Sequence, residues 1–563
     1  MYPLQDVLLW MNQLLNVTSS FNSSSPQNDN TFHTVPAPIN STIPNFDEHC
    51  NRFVPDIDIP GARLHFTQLV PGGTNLSFRD NHPTCGTPYQ VISSDICRVA
   101  MAVPTSDTSE ISLEAWFPAN YSGRFLSTAN RGFAGCILYN ELEFATSLGF
   151  ASVGANNGHN GTRGFAFVNN PDAIADYAYR SVHTGVVVGK ELVKSFYGFP
   201  SRKSYFLGCS TGGRQGFKEA QDFPADFDGI VAGAPAIAFT RLVSWGGVLY
   251  KATGDPGSDT FLTPNLWAVV YDEVLRQCDA LDGAKDGLLE DPSLCQFTPE
   301  TLICSEGQTS DCLTGKQADT VRTIFSPFYG LDGQLLYPRM QPGINTKAHV
   351  PFYFEGSPSS LIEVNIFENC PFKPLIHLLQ DWFRYIIYND TTWDGKNFSV
   401  ADAMFSVAQN PFNIDTWEGD LSVFAKNGGK ILSYHGLQDF VISSEISKLY
   451  HARVSRTMNM PPHELDDFYR LFFVSGMGHC RDGDGASAIG QDIGSTVGRD
   501  PDENALMAMV RWVEEGIPPE VLRGAKFSAD GSVEYWRAHC KWPKRNHYTG
   551  RGSFTDEEAW QCM

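Results

Sequence analysis

A serine with glycines two residues to either side, Gly208-Cys209-Ser210-Thr211-Gly212, has the residue types of a nucleophile held on a sharp strand-to-helix turn. Glycines at those positions relieve crowding and leave the serine hydroxyl exposed. A serine needs a base, and the base needs a group that orients it. Two later segments supply them in the chain order Ser, Asp, His that such a turn goes with. Asp439 ends His435-Gly436-Leu437-Gln438-Asp439, and His479 lies in the Gly-rich Ser475-Gly476-Met477-Gly478-His479-Cys480. Singly, each would be an ordinary loop residue; their order, and their place just after predicted strands, makes them candidates. Cys209 precedes the serine and Cys480 follows the histidine, so a Cys209–Cys480 disulfide would hold the two loops together. Attack by Ser210 on an acyl group also needs N–H donors for the oxyanion, and the amide of Thr211 is one.

A second set of chemistry-bearing residues is Asp279-Ala280-Leu281-Asp282-Gly283-Ala284-Lys285-Asp286-Gly287-Leu288. Three carboxylates alternate with glycines that permit a tight loop, as a hard, oxygen-seeking cation requires. It is not an EF-hand, because positions 3 and 5 would be Leu281 and Gly283. An acidic solvated turn fits the same residues.

The elements that must position these groups are short apolar runs separated by turn residues. Ile111–Phe117 alternates as a half-buried strand. Residues 123–128, 150–154, 204–207 and 229–234 read as more buried strands, and strand texture returns at 429–435 and 468–474. Helical spacing runs between Ala173 and Phe196, again after the Ser210 turn through Glu219, and over Ala505–Val513. Alternating strands and helices predict a mostly parallel sheet covered on both faces. Between about 240 and 425 the alternation stops, and the stretch reads as a large insertion.

Composition sets the outer bounds. The 563 residues are 42% hydrophobic, 12% aromatic and 18% charged, a profile opposite to that of a disordered chain. With 41 Lys+Arg against 63 Asp+Glu the net charge is −22, which disfavours nucleic acid or an anionic membrane as partner. No apolar run reaches the length of a membrane span. Thirteen cysteines without a CxxC pair, and eight N-x-[ST] sequons (Asn16, Asn22, Asn40, Asn75, Asn120, Asn160, Asn389, Asn397), indicate a secreted glycoprotein with structural disulfides. The apolar Val7–Met11 follows no Lys or Arg and precedes no clean cleavage site, so secretion is inferred from the body of the chain.

The Cys-Ser, Asp, His-Cys arrangement, with Gly208-Cys209-Ser210-Thr211-Gly212-Gly213-Arg214-Gln215-Gly216, resembles the fungal tannase and feruloyl esterase family. The likeness runs from about Cys50 to the C-terminus, takes in Val153–Gly161 and Lys544-Arg545-Asn546, and is nearest to the type-B feruloyl esterases. It implies an α/β-hydrolase core with a large lid. It also implies bridges Cys50–Cys97, Cys85–Cys136, Cys278–Cys295, Cys304–Cys312 and Cys540–Cys562, leaving Cys370 over. It places a second oxyanion donor in Arg131-Gly132-Phe133-Ala134-Gly135, at Gly132. It makes the acidic loop a structural Ca²⁺ site, held by the side chains of Asp279, Asp282 and Asp286 and the carbonyls of Ala284 and Leu288.

The expected organisation is a disordered lead-in over 1–45, core over 46–240, lid over 241–425 and core again over 426–563. The expected activity is hydrolysis of phenolic-acid esters of plant cell-wall polysaccharide by an extracellular monomer or homodimer. Gallate esters are the rival substrates, and a non-catalytic α/β-hydrolase-fold binding protein is the rival from another class. No His-rich ligand set speaks for a metal-dependent hydrolase.

Overall fold

Apolar residues adjacent in sequence go to opposite sides of one sheet. Phe125 and Leu126, Ile230 and Val231, Ile431 and Leu432, and Leu471 and Phe472 each divide between two separate hydrophobic clusters. That division is the period of two in an extended chain, applied to strands buried on both faces. In the computed structural model, which describes residues 43–347 and 375–563, these strands belong to a nine-stranded sheet. Its members are β1 (Arg63–Val70), β2 (Ile96–Pro104), β3 (Glu110–Pro118), β4 (Arg124–Thr128), β5 (Phe150–Ala155), β6 (Lys203–Cys209), β7 (Gly229–Gly233), β8 (Lys430–Gly436) and β9 (Tyr469–Val474). The spatial order is β1-β2-β3-β5-β4-β6-β7-β8-β9. From β5 to β9 every pairing is parallel, and the pairings among β1, β2, β3 and β5 are antiparallel.

Helices cover both faces. Helix α1 (Tyr139–Ser147) and helix α4 (Ala505–Glu515) pack Phe144, Leu506 and Met509 into one cluster. Helix α2 (Ser181–Tyr197) and helix α3 (Thr211–Asp222) pack Val186, Leu192, Phe196 and Phe217 into the other. Covering both faces corrects the reading of Ile111–Phe117 as half-buried: from Leu113 onward β3 is buried on both sides. The helical stretch from Ala173 is also not continuous. A π turn at Asp176–Arg180 interrupts it, and the buried Asp176 there accepts hydrogen bonds from Thr105, Ser109 and Arg180.

Between β7 and β8 no described residue joins this sheet. The stretch holds helices such as Phe239–Thr253, Pro264–Cys278 and Val400–Gln409, and its buried Trp245, Trp267 and Trp382 belong to the same apolar cluster as α2 and α3. The described residues fall within one compact unit. The described residues hold six disulfides: Cys50–Cys97, Cys85–Cys136, Cys209–Cys480, Cys278–Cys295, Cys304–Cys312 and Cys540–Cys562. Cys370 and most of the lead-in lie outside the described residues, as do Asn16, Asn22 and Asn40. The other five sequon asparagines are all exposed.

Candidate active site

Ser210, Asp439 and His479 follow the C-terminal ends of β6, β8 and β9, where loops of a parallel sheet gather over one edge. Ser210 has φ 65° and ψ −123°, a strained backbone for a residue with a side chain. The strain is held by its neighbours: its N–H donates to the Gly233 carbonyl, and its own carbonyl accepts from Arg214 and Ala236. A Cβ on Gly208 or on Gly212 would come within 2.4 Å of Ala129 Cβ, so the two glycines let the strand, the turn and the helix cross this closely.

Asp439 is wholly buried, and its Oδ2 accepts from His479 Nδ1 at 2.8 Å. Burial alone would push the Asp439 carboxyl up. The His479 and His435 imidazoles facing it outweigh that and hold it well below the usual carboxylate range. The Cys209–Cys480 bridge, with Cα atoms 6.0 Å apart, ties the residue before Ser210 to the residue after His479. Asp439 and His479 are thus joined directly, and Ser210 is joined to the histidine loop through covalent bonds.

Thr211 is the first residue of α3, so its N–H has no acceptor within the helix. Gly132 stands in a turn closed by the Ala134 N–H on the Arg131 carbonyl, with φ +48°, a conformation that favours glycine. Its carbonyl accepts from Thr211 Oγ1 at 3.1 Å and from Tyr177 Oη at 2.8 Å. Burial pushes the Tyr177 hydroxyl pKa up, so it stays protonated and donates. These bonds fasten the Gly132 turn to the start of α3, with the N–H groups of Thr211 and Gly132 on adjoining segments.

A buried polar network supports that turn, and its members went unassigned at the level of sequence. Asn130 exchanges hydrogen bonds with Gln215, whose Nε2 also reaches Asn157. Asn157 in turn donates to the Ala134 carbonyl. His159 Nε2 lies 2.7 Å from the Phe133 carbonyl, and burial lowers the pKa of this ring. Asn157 and His159 of Val153–Gly161 and Gln215 of Arg214-Gln215-Gly216 therefore act through the 130–135 turn, while Arg214 donates to the Tyr177 and Ala178 carbonyls. His435 is another such residue: its Nε2 is 3.2 Å from Asp439 Oδ2. Its spacing of four residues before the acid was the available signal.

The inserted stretch reaches the same loops. Gln341 Nε2 donates to the Asp439 carbonyl oxygen, and its Oε1 accepts from the Ser444 N–H. Asp484, near His479, accepts from Gln438 and Asn345.

The acidic loop follows the helix Pro264–Cys278 and is bracketed by Cys278–Cys295. Burial, and then the charge of Asp286 and Asp282, raises the Asp279 carboxyl to about 6. Asp282 is buried between the Ala284 and Glu290 N–H groups, and Asp286 lies 3.3 Å from Arg537 Nη2. Negative charge thus exceeds what the loop neutralises, and the donors are all oxygen, which fits a hard cation. The three carboxylates are not all within 4.8 Å of one another, so a bound ion would have to draw them in.

Fold and site together define a serine hydrolase of the α/β-hydrolase fold, with a large insertion between β7 and β8. Residues 95–563 match the family described as "Tannase and feruloyl esterase", and the chain belongs to that family. It is 55% identical over 521 residues to "Probable feruloyl esterase B-2" of Aspergillus terreus, covering 92% of this chain and 95% of that one. The crystal structure of feruloyl esterase B from Aspergillus oryzae is similar at 50% identity and TM-score 0.87, covering 92% of this chain and all of that one. Tannin acyl hydrolase from Aspergillus niger shares the fold, at 22% identity and TM-score 0.70 over 92% of this chain and 94% of that one.

Proposed function

We propose that this protein is a carboxylic ester hydrolase that cleaves hydroxycinnamoyl esters of the ferulate type through an acyl-enzyme at Ser210. The observation that carries the reading is the Asp439–His479 bond bridged by Cys209–Cys480 to a strained Ser210, in a chain of this family. Ser210 Oγ attacks the ester carbonyl while His479 Nε2 takes its proton, and Asp439 holds the tautomer with hydrogen on Nδ1. Thr211 and Gly132 N–H groups bind the oxyanion. His479 then protonates the leaving alcohol, and water, deprotonated by the same nitrogen, releases the acid.

The substrate class rests on feruloyl esterases at 50 to 55% identity. We place these esters on plant cell-wall polysaccharide outside the cell; the extracellular location is supported by the six disulfides of the described residues and by exposed asparagines at all five described sequons. The Asp279, Asp282 and Asp286 side chains, with the Ala284 and Leu288 carbonyls, would hold Ca²⁺ and stiffen the inserted stretch.

A panel of methyl ferulate, caffeate, sinapate, cinnamate and gallate, with p-nitrophenyl palmitate, tests the reading. Hydroxylated cinnamates should be turned over best, because a site built to bind ring hydroxyls leaves polar groups unpaired with methyl cinnamate. Ser210→Ala should remain folded and lose up to about 10⁶ in kcat. Preference for the palmitate ester, or full activity of S210A, would overturn it.

A further inference from the structure

Away from Ser210, one group of side chains converges tightly. His183 in the first turn of α2, Glu219 in the last turn of α3 and Asp226 just before β7 each present a ligand atom, all within 4.8 Å of one another. Among the described residues no other trio of His, Cys, Asp or Glu does so. Glu219 is 1% exposed, and its enclosed Oε2 has no hydrogen-bond partner. Burial and the facing Asp226 carboxylate raise the pKa of the Glu219 carboxyl well above the usual range, and a cation at the cluster would take the place of the proton crowded between the two. Lys190 stands nearby, but its ammonium donates to the Asp226 backbone carbonyl, and Lys218 is paired with Asp222. The His183 ring is stacked on Phe223 at 3.7 Å, which limits its rotation. The side chains of His183 and Asp226 are 33% and 15% exposed, which leaves a way in from solvent.

We propose that His183, Glu219 and Asp226 form a site for a divalent transition-metal ion of the Zn²⁺ type. One imidazole nitrogen with two carboxylates suits zinc and its first-row neighbours, whereas Ca²⁺ takes six to eight oxygens. Ligand atoms about 2.0–2.1 Å from a tetrahedral zinc lie roughly 3.3 Å apart. The 2.7 Å contact between His183 Nδ1 and Asp226 Oδ2 therefore opens by a few tenths of an ångström as the metal replaces its proton. Water fills the remaining positions. Helix α3 begins beside Ser210 and carries Glu219 in its last turn, so the ion braces the far end of the nucleophile's helix against α2 and β7. Its role is structural.

The test uses the full chain, stripped with chelator, returned to saturating Ca²⁺ to fill the acidic loop, and titrated calorimetrically with ZnCl₂. One equivalent should bind with a Kd of about 10 µM or tighter, and binding should raise the Tm. His183→Ala, at a partly exposed position, and Asp226→Asn should each weaken binding at least about tenfold and remove the Tm rise, with circular dichroism showing both folded. No binding up to about 100 µM zinc, or the same binding in wild type and both variants, overturns the site and leaves the cluster holding only a proton.

Discussion

Asp439 Oδ1 takes the Val441 and Ile442 N–H groups and Oδ2 takes His479 Nδ1, while His435 Nε2 stands 3.2 Å from Oδ2. His435 is fully buried, and its Nε2 also faces the Ile442 carbonyl while its Nδ1 lies 2.8 Å from Ser447 Oγ. Facing two acceptors, Nε2 carries the hydrogen and Nδ1 accepts from Ser447. His435 therefore sits with His479 at the oxygen that orients the base; the buried Tyr337 hydroxyl also faces Asp439. His435→Phe keeps the ring and removes the donor. Loss of an N–H dipole facing that charge, at about 1.4 kcal/mol, should lower kcat roughly tenfold with KM little changed. A folded variant with unchanged kcat would show that His435 only fills space.

At the scale of elements, the site is two loops pinned by one bridge. Cys209–Cys480 closes 271 residues of chain, which the chain-entropy model values at about 5–6 kcal/mol. It also fixes the serine turn against the histidine loop, a local effect that Tm does not measure. Cys209→Ala with Cys480→Ala should lose at least about tenfold in kcat at a temperature where it is fully folded. Removing Cys540–Cys562, at the C-terminal strands, should lower Tm and leave kcat alone. Equal kcat losses in the two variants would refute a positioning role. The acidic loop calls for a different measurement. Chelation should lower Tm while kcat per folded molecule at 25 °C holds, and elemental analysis that finds no calcium in the purified protein would remove this site.

For the whole molecule, buried histidines add acid sensitivity, two of them most strongly. His451 and His539 are each pushed down to about 4 by burial, partly opposed by Asp466 for the first and by the Ala486 carbonyl for the second. Unfolded, each titrates near its ordinary value of about 6.5. The folded pKa is the depressed one, so the stability is fully present above about 6.5 and is lost as pH falls toward about 4, the unfolded chain taking up protons that the folded chain refuses. Each contributes at most about 1.4 kcal/mol per pH unit. His451→Gln and His539→Gln should each flatten the fall of unfolding free energy between pH 6.5 and 4.5, measured by denaturant titration. Unchanged slopes would mean that these rings are not held neutral.

Ser210, Asp439 and His479 could be picked out as candidates from sequence because each lies where a short apolar run ends, and apolar runs are set by local periodicity. The Cys209–Cys480 pairing was legible for a related reason: its members are neighbours of residues whose chemistry requires them to meet. The partners that aim those groups were not legible. Asn130, Gln215, Asn157, Tyr177 and His435 are single polar residues whose significance comes from partners across the fold, and no local pattern marks a side chain that will be buried with one donor to satisfy. The alternation in β3 misled for a similar reason, since a strand shows which residues share a face but not what will cover that face. Sequence by itself determined the elements and the order of the reactive residues, because both depend on near neighbours along the chain. Tertiary structure alone decided burial, hydrogen-bond partners and the convergence of His183, Glu219 and Asp226, because these depend on which distant segments the packed sheet brings side by side.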